Sequence, residues 1–118
     1  MTFNFEKLIA WQKSKDLCLY IYQLTEELPK EETYNFTSQI RRSVQSISSN
    51  IAEGSAKTHS KEKKRYINIA YGSLIELSSQ ILISNEIYQY VNSENMSKFK
   101  ASSVELSKIL SGLLKSYD

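Results

Sequence analysis

Apolar side chains recur along most of the chain at the three- and four-residue spacing of an α-helix. A first helix is predicted from about Glu6 to Leu28, and its stripe consists of Leu17, Ile21, Leu24 and Leu28. Pro29 ends this helix, because proline lacks an N–H and disfavours a helical residue before it. A second helix is predicted after a cap at Thr33 or Asn35, and its stripe consists of Phe36, Ile40, Val44, Ile47 and Ile51.

Two longer stripes fill the second half of the chain. The third helix is predicted to be capped by Ser60, and its inward positions are Tyr66, Ala70, Ser73, Leu77, Ile81, Ser84, Tyr88 and Val91. The fourth is predicted to be capped by Ser93 and has the heptad seam Met96, Phe99, Ser103, Leu106, Leu110, Leu113 and Tyr117. Short connections between long helices favour antiparallel neighbours. The pattern therefore predicts an all-α, antiparallel up-down-up-down four-helix bundle, with residues 1–118 as a single domain.

Two of the three glycines are given local roles by this prediction. Gly54 follows the second stripe, where a left-handed residue often ends a helix and glycine adopts that conformation without strain. Gly72 lies inside the third helix, where glycine costs about 1 kcal/mol relative to alanine. We therefore expect a neighbouring backbone to approach Gly72 closely.

Residues that could support catalysis or metal binding are scarce. His59 is the single histidine and Cys18 the single cysteine, whereas a metal site needs several ligands. Cys18 falls among apolar residues, which is typical of a buried structural thiol. The sequence thus predicts no enzyme, no metal and no cofactor. No apolar run approaches the ~20 residues of a membrane span, and no signal peptide is recognisable at the N-terminus, so a cytoplasmic protein is expected.

Charge is unevenly distributed, although the net charge is only +2. The segment 41–65 has two acidic residues, Glu53 and Glu62, against seven basic ones: Arg41, Arg42, Lys57, Lys61, Lys63, Lys64 and Arg65. Such a zone on a nearly neutral protein indicates an anionic partner. The alternative interpretation is an ordinary solvated turn and helix start. The seven basic residues are the candidate nucleic-acid contacts.

Polar residues also lie beside the apolar stripes of the second and third helices. Asn50, Glu53 and Glu76 are interpreted as a structural polar network that aligns these helices, the alternative being a ligand or nucleic-acid contact. If the two helices are antiparallel, Arg42 lies within about one turn of Glu76. An ion pair between Arg42 and Glu76 is therefore predicted.

At these residues the sequence resembles the bacterial 23S rRNA intervening-sequence proteins. The resemblance begins with Phe5, Leu8, Trp11 and Gln12 and continues through Pro29 and the pattern Gln39-x-Arg41-Arg42. Two further blocks match, Ser-Ile-x-x-Asn-Ile-Ala-Glu-Gly at 46–54 and Asn-Ile-Ala-x-Gly-Ser-Leu-x-Glu-Leu at 68–77. The ordered set covers nearly the whole chain.

The resemblance implies antiparallel bundles that assemble into ring-like homopentamers. It also implies a relation to the accessory proteins of diversity-generating retroelements, which bind nucleic acid and a reverse transcriptase. Two functions follow as hypotheses. One is RNA binding through the basic zone, and the other is a protein-binding scaffold that uses exposed aromatic residues such as Tyr71, Tyr88 and Tyr90 on an unknown partner.

Overall fold

The computed structural model describes residues 2–118, and the described chain contains four long helices and no strand. Their bounds are α1 Ile9–Thr25, α2 Ser38–Ser55, α3 Ser60–Tyr88 and α4 Ser93–Ser116. Side-chain contacts show that neighbouring helices are antiparallel. Tyr20 near the end of α1 donates to the carbonyl of Asn95 at the start of α4. Along α2, Ser43 and then Ser46 contact Glu76 and then Ser73 of α3, in reverse order. The predicted all-α four-helix bundle is confirmed, and it measures 43 × 27 × 25 Å.

The core follows the apolar stripes read from the sequence. In α1 and α2 the buried stripe positions are Leu17, Ile21, Leu24, Ile40, Val44, Ile47 and Ile51. The largest buried residues of α3 and α4 are Ile67, Leu74, Leu77, Ile81, Phe99, Leu106 and Leu110. Ile67 and Leu74 were not in the predicted α3 stripe, which was placed slightly to one side of the true inward face. Each such side chain stabilises the fold by roughly 1.5–3 kcal/mol when fully buried.

A separate turn precedes α1, so the helix begins at Ile9 rather than near Glu6. Residues Asn4–Lys7 form a 3₁₀ turn. The Gln12 side chain donates to the carbonyl of Glu6 over 2.8 Å, and the Phe5 ring packs against Trp11 with centroids 5.0 Å apart. Trp11 and Gln12 of the sequence pattern thus hold the N-terminal turn against α1.

The connection between α1 and α2 is also more structured than predicted. A 3₁₀ turn at Lys30–Glu32 and a π-helical turn at Thr33–Thr37 come before α2. The Glu32 carboxylate accepts hydrogen bonds from the Phe36 N–H and from the Tyr88 hydroxyl. The helix α2 then begins at Ser38. The predicted cap at Thr33 or Asn35 is wrong, because the capping side chain is that of Glu32, at the start of the π-helical turn.

Neither Gly54 nor Gly72 has the role expected from the sequence. Gly54 lies inside α2, and no glycine of the described chain has a positive φ. A Cβ at Gly54 would lie 2.8 Å from the Cβ of Tyr66, so the glycine is needed where α2 and α3 approach each other. Gly72 has no such neighbour within 4 Å and is exposed. The close contact expected at Gly72 is therefore found at Gly54.

The turn between α3 and α4 contains the one left-handed non-glycine residue among residues 2–118. Gln89 ends α3 with φ 52°, and the side chain of Asn85 accepts from the Val91 N–H over 2.8 Å. Asn92 then caps α4 by accepting from the Asn95 N–H over 2.7 Å. The cap thus lies one residue before the predicted Ser93. Within residues 2–118, no helix combines the length and apolarity that crossing a membrane requires.

Candidate nucleic-acid interface

The fold divides the seven candidate basic residues into two groups. Five of them surround the α2–α3 turn and the first turns of α3: Lys57, Lys61, Lys63, Lys64 and Arg65. Arg41 and Arg42 lie near the start of α2. Arg41 is fourteen residues before Ser55, which is about 21 Å along the helix axis. A single continuous surface containing all seven residues is therefore not formed, and only the group at the turn makes a basic cluster.

The basic cluster surrounds the N-terminus of α3, which has no side-chain cap. The predicted cap at Ser60 is wrong, because Ser60 is the first helical residue and His59 occupies the cap position. The Lys63 N–H reaches the His59 carbonyl over 3.0 Å, and the three N–H groups before it have no partner inside the helix. These groups and the helix dipole make the site positive before any side chain is counted. Cations in this first turn are electrostatically unfavourable, and Glu62 is the one acid that offsets them there. The arrangement suits an anion.

The basic side chains of the cluster differ in how free they are. Lys63 donates to the Ser55 carbonyl over 3.1 Å and lies 5.4 Å from the Tyr117 ring centre. It therefore closes the α2–α3 turn. Lys57 lies over the Tyr66 ring at 5.1 Å, and Lys64 contacts the Asp118 carboxylate. Lys61 is exposed and has no hydrogen bond or ion pair to any other residue from 2 to 118.

An open groove runs along α3 beside these residues. It has a volume of about 1000 Å³ and is lined by Lys61, Glu62, Lys64, Arg65, Asn68 and Ile69. Arg65 is largely exposed, and its nearest carboxylate is that of Glu62, at 4.0 Å. A surface pair of this length contributes little. Most of the groove's positive charge therefore faces solvent.

Arg41 has a structural role that the sequence did not indicate. Its Nε donates to the Thr25 hydroxyl over 3.0 Å, and its Nη2 donates to the Tyr22 carbonyl over 3.2 Å. The guanidinium also lies 4.4 Å from the centre of the Tyr22 ring. Arg41 thus ties α2 to the last turn of α1, whereas Arg42 is exposed.

A polar seam joins α2 to α3. Asn50 donates to the Ser46 carbonyl over 2.8 Å, and Ser46 lies 2.8 Å from the Ser73 hydroxyl. Further along, Ser43 donates to the Glu76 carboxylate over 2.6 Å. Ser73 was predicted to face inward, but Ser43 and Ser46 were not predicted to take part in the network. Their signal is the small polar residues that recur at helical spacing on the facing stripes.

Asn50 and Glu76 lie in this seam as predicted, whereas the predicted ion pair and Glu53 differ from the expectation. Glu76 receives its hydrogen bond from Ser43, and within residues 2–118 no carboxylate lies within ion-pair distance of Arg42. The predicted Arg42–Glu76 pair is therefore wrong, because the adjacent serine is on the face that meets α3. Glu53 is exposed and lies outside the seam, beside a groove that Phe3 and Phe5 also line.

The remaining reactive side chains have ordinary surroundings. Burial raises the pKa of the Cys18 thiol, which keeps it protonated and weakly nucleophilic. His59 is exposed at the start of α3. Among residues 2–118, histidine, cysteine and acidic side chains form no group of three that could hold a metal ion.

The three tyrosines proposed as a partner surface are only half-exposed. Tyr71, Tyr88 and Tyr90 pack against the core. Tyr88 donates to Glu32, and the Tyr90 hydroxyl lies 2.8 Å from that of Ser84. Burial raises the pKa of Tyr90. The prediction that these three tyrosines are exposed is therefore wrong. The hydroxyls of Tyr88 and Tyr90 make hydrogen bonds to other residues of the bundle.

Comparisons with known proteins agree with the fold. A family model described as 23S rRNA-intervening sequence protein matches residues 6–112. A crystal structure from Bacteroides thetaiotaomicron, described as a protein with unknown function from the S23 ribosomal protein family, superposes with a TM-score of 0.81 at 24% identity. The alignment covers 91% of this chain and 99% of that one. Among curated proteins no significant match was found.

Proposed function

Because the chain belongs to the 23S rRNA-intervening sequence protein family, we propose that it is a non-enzymatic protein that binds RNA through the basic cluster. The observation that supports this proposal most directly is the uncapped N-terminus of α3 among lysines. The cluster opposes the helix dipole and thus costs stability when no anion is bound. A phosphate group would remove this cost by accepting from the free N–H groups and neutralising the lysines.

The expected contacts are mainly to phosphate. Lys61, Lys64 and Lys57 offer flexible ammonium groups, which bind phosphate as point charges rather than as planar forks. The Tyr66 ring in the cluster is half-buried and already covered by Lys57, so it offers little surface for base stacking. Binding should therefore depend strongly on salt and only weakly on sequence.

The test replaces two lysines whose side chains the fold can spare. K61Q/K64Q should weaken binding of a single-stranded RNA oligonucleotide and flatten the plot of log affinity against log salt. A slope of about −0.7 per neutralised phosphate is expected for single strands. Lys63 is left unchanged because it closes the α2–α3 turn. Affinity measured by fluorescence anisotropy at several salt concentrations gives both results.

A matched control removes the same charge elsewhere. Lys30 and Lys100 are exposed and lie away from the basic cluster, in the α1–α2 connection and in α4. K30Q/K100Q should leave the affinity and the salt slope nearly unchanged. If both double variants lower affinity equally, the binding reflects net charge and the basic cluster is not the site. If neither binds RNA less well than the parent, the RNA proposal fails.

The second candidate function is a protein-binding scaffold, and it is supported by a row of exposed aliphatic residues on α3. The absence of RNA binding in the experiment above would favour it. For either function we propose a cytoplasmic homo-oligomer, and the family resemblance suggests five subunits. Light scattering coupled to gel filtration measures the assembly, and a monomer at micromolar concentration would contradict it.

A further inference from the structure

A polar cavity, the corner cavity, lies where α1 ends and α2 begins. It has a volume of about 370 Å³, and its lining includes the adjacent arginines Arg41 and Arg42. The other lining side chains are the Tyr22 phenol, the Gln45 amide and three aliphatic hydroxyls. No acidic side chain of residues 2–118 lines this cavity. Cations that no acid in the lining offsets attract an anion to such a concave surface.

The Arg41 guanidinium is held in place by neutral groups. Its Nε donates to the hydroxyl of Thr25, which is 1% exposed, and Thr25 in turn donates to the Ile21 carbonyl over 2.7 Å. Its Nη2 donates to the Tyr22 carbonyl. The guanidinium has further N–H groups, and no carboxylate of residues 2–118 lies within ion-pair distance of it. Arg41 is therefore a pre-oriented cation whose charge is not neutralised.

Arg42 is a second cation at the same cavity. It is exposed, and within residues 2–118 it also has no carboxylate at ion-pair distance. Neither arginine can lose its proton at neutral pH, so the two like charges repel each other across the cavity. An anion with two negative charges removes this repulsion, whereas an anion with one offsets only half of the positive charge.

The polar groups beside the arginines add hydrogen-bond donors. The Gln45 amide donates to the Tyr22 hydroxyl, so the phenol proton stays free for another acceptor. Thr37 lies at the cap position of α2, but its side chain makes no capping hydrogen bond. Thr33 and Ser38 differ, because both donate to main-chain carbonyls. The ligand that fits this lining has acceptor oxygens on several sides.

We propose that the corner cavity binds a terminal phosphate group, as in a phosphate monoester. Such a group has a charge of about −1.5 to −2 at pH 7 and three acceptor oxygens, which matches two arginines and the donors beside them. A planar guanidinium binds phosphate through two parallel hydrogen bonds. Arg41 provides the fixed contact, and the exposed Arg42 closes on the group from the other side.

The corner cavity is separate from the basic cluster. It lies at the start of α2, whereas the basic cluster surrounds the turn at the end of the same helix. The phosphate site therefore does not depend on the proposal that the basic cluster binds RNA. A terminal phosphate is present in inorganic phosphate, in a mononucleotide and at the 5′ end of a phosphorylated RNA strand, and the experiment compares these three sources.

Titration calorimetry with adenosine 5′-monophosphate tests the site. All samples carry K61Q/K64Q, so that lysines of the basic cluster do not add to the signal. In this background R42Q should raise the Kd about tenfold, because it deletes a charge-assisted contact. R42K should weaken binding less, since an ammonium group keeps the charge but loses the planar fork. R65Q is the matched control, which removes another exposed arginine and should leave the Kd unchanged.

A further variant tests the cavity without changing any charge. Y22F removes the phenol O–H but keeps the main-chain carbonyl and the ring that hold Arg41. The Kd for adenosine 5′-monophosphate should rise about threefold, as expected for one lost hydrogen bond. Circular dichroism checks that each variant keeps the helix content of the parent.

Competition identifies the source of the phosphate. If an RNA end is the source, a 5′-phosphorylated oligonucleotide should bind K61Q/K64Q more tightly than its 5′-hydroxyl form, and R42Q should remove the difference. If a free molecule is the source, both oligonucleotides should bind alike, while inorganic phosphate or the mononucleotide still binds in an Arg42-dependent way.

Three results would overturn the proposal. Adenosine lacks the phosphate and should not bind, so equal binding of adenosine and its monophosphate would place recognition elsewhere. Equal effects of R42Q and R65Q would show that only net charge matters. Acetate that competes as well as inorganic phosphate would show that the cavity does not select a doubly charged anion.

Discussion

Gly54 lies where α2 and α3 approach each other, and replacing it should separate the two helices. In G54A the new Cβ would be 2.8 Å from the Tyr66 Cβ and 3.3 Å from the Lys63 carbonyl. Both neighbours belong to or adjoin the backbone, so neither can rotate away. We expect a loss of about 1–3 kcal/mol in the free energy of unfolding, as in other overpacked cores. Urea denaturation measures it.

Gly112 is the matched control for this substitution. It also lies inside a helix, but a Cβ there would meet nothing within 4 Å. G112A should therefore raise the free energy of unfolding by up to about 1 kcal/mol, since alanine is the better helix former. If G54A raises stability as G112A does, helix propensity decides the result and the contact with Tyr66 does not.

The residue-scale errors of the sequence analysis share one cause. The sequence pattern assigned Gly54 to the end of the second helix. The contact that requires a glycine there is with Tyr66 of α3, and a local pattern cannot reveal which residue of another helix lies nearby. Arg41 and Lys63 looked like free cations for the same reason. Their partners are the carbonyls of Tyr22 and Ser55, and a main-chain acceptor on another element leaves no mark in the sequence.

At the scale of elements, the helices were predictable and their ends were not. The four apolar stripes follow from a period that every buried helix must satisfy. The starts of α1 and α2 were predicted too early, since Asn4–Lys7, Lys30–Glu32 and Thr33–Thr37 form turns with other hydrogen-bond spacings. Those turns are held by tertiary contacts such as Phe5 on Trp11 and Tyr88 on Glu32, which propensity does not encode.

The contact between Glu32 and Tyr88 should make the α1–α2 connection sensitive to acid. The Tyr88 hydrogen bond lowers the pKa of Glu32 below its ordinary value of 4.5, opposed by burial and helped by hydrogen bonds from Asn35 and the Phe36 N–H. A carboxylate whose pKa is lower in the folded state stabilises the fold above its unfolded pKa. This contribution is lost as pH falls through the folded value. The loss thus begins near pH 4.5 and continues below it.

Y88F removes the main cause of this shift and supplies the comparison. At neutral pH the variant should melt below the parent, and the difference should shrink as the pH is lowered from 5 toward 3. Thermal melts by circular dichroism across this range measure the difference. Y34F is a suitable control because the Tyr34 side chain is 94% exposed. A Y88F difference that stays constant with pH would show that the contact acts through packing alone.

On the scale of the whole molecule, burial is unequally shared among the helices. In α2 six of eighteen residues are buried, whereas α4 buries only Phe99, Leu106 and Leu110 over twenty-four residues. The Ser103 hydroxyl in the α4 seam is buried and has no hydrogen-bond partner within residues 2–118. An unsatisfied buried hydroxyl costs about 1–3 kcal/mol. A polar seam instead links α2 to α3 through Ser43, Ser46 and their partners.

This inequality predicts that α4 opens before the α2–α3 pair. Segments with few buried contacts exchange their amide hydrogens through local opening, at a lower free energy than global unfolding. Hydrogen exchange followed by mass spectrometry should show α4 peptides exchanging well before peptides from α2 and the first half of α3. Equal protection of α2 and α4 would contradict the prediction, because the four helices would then open as one unit.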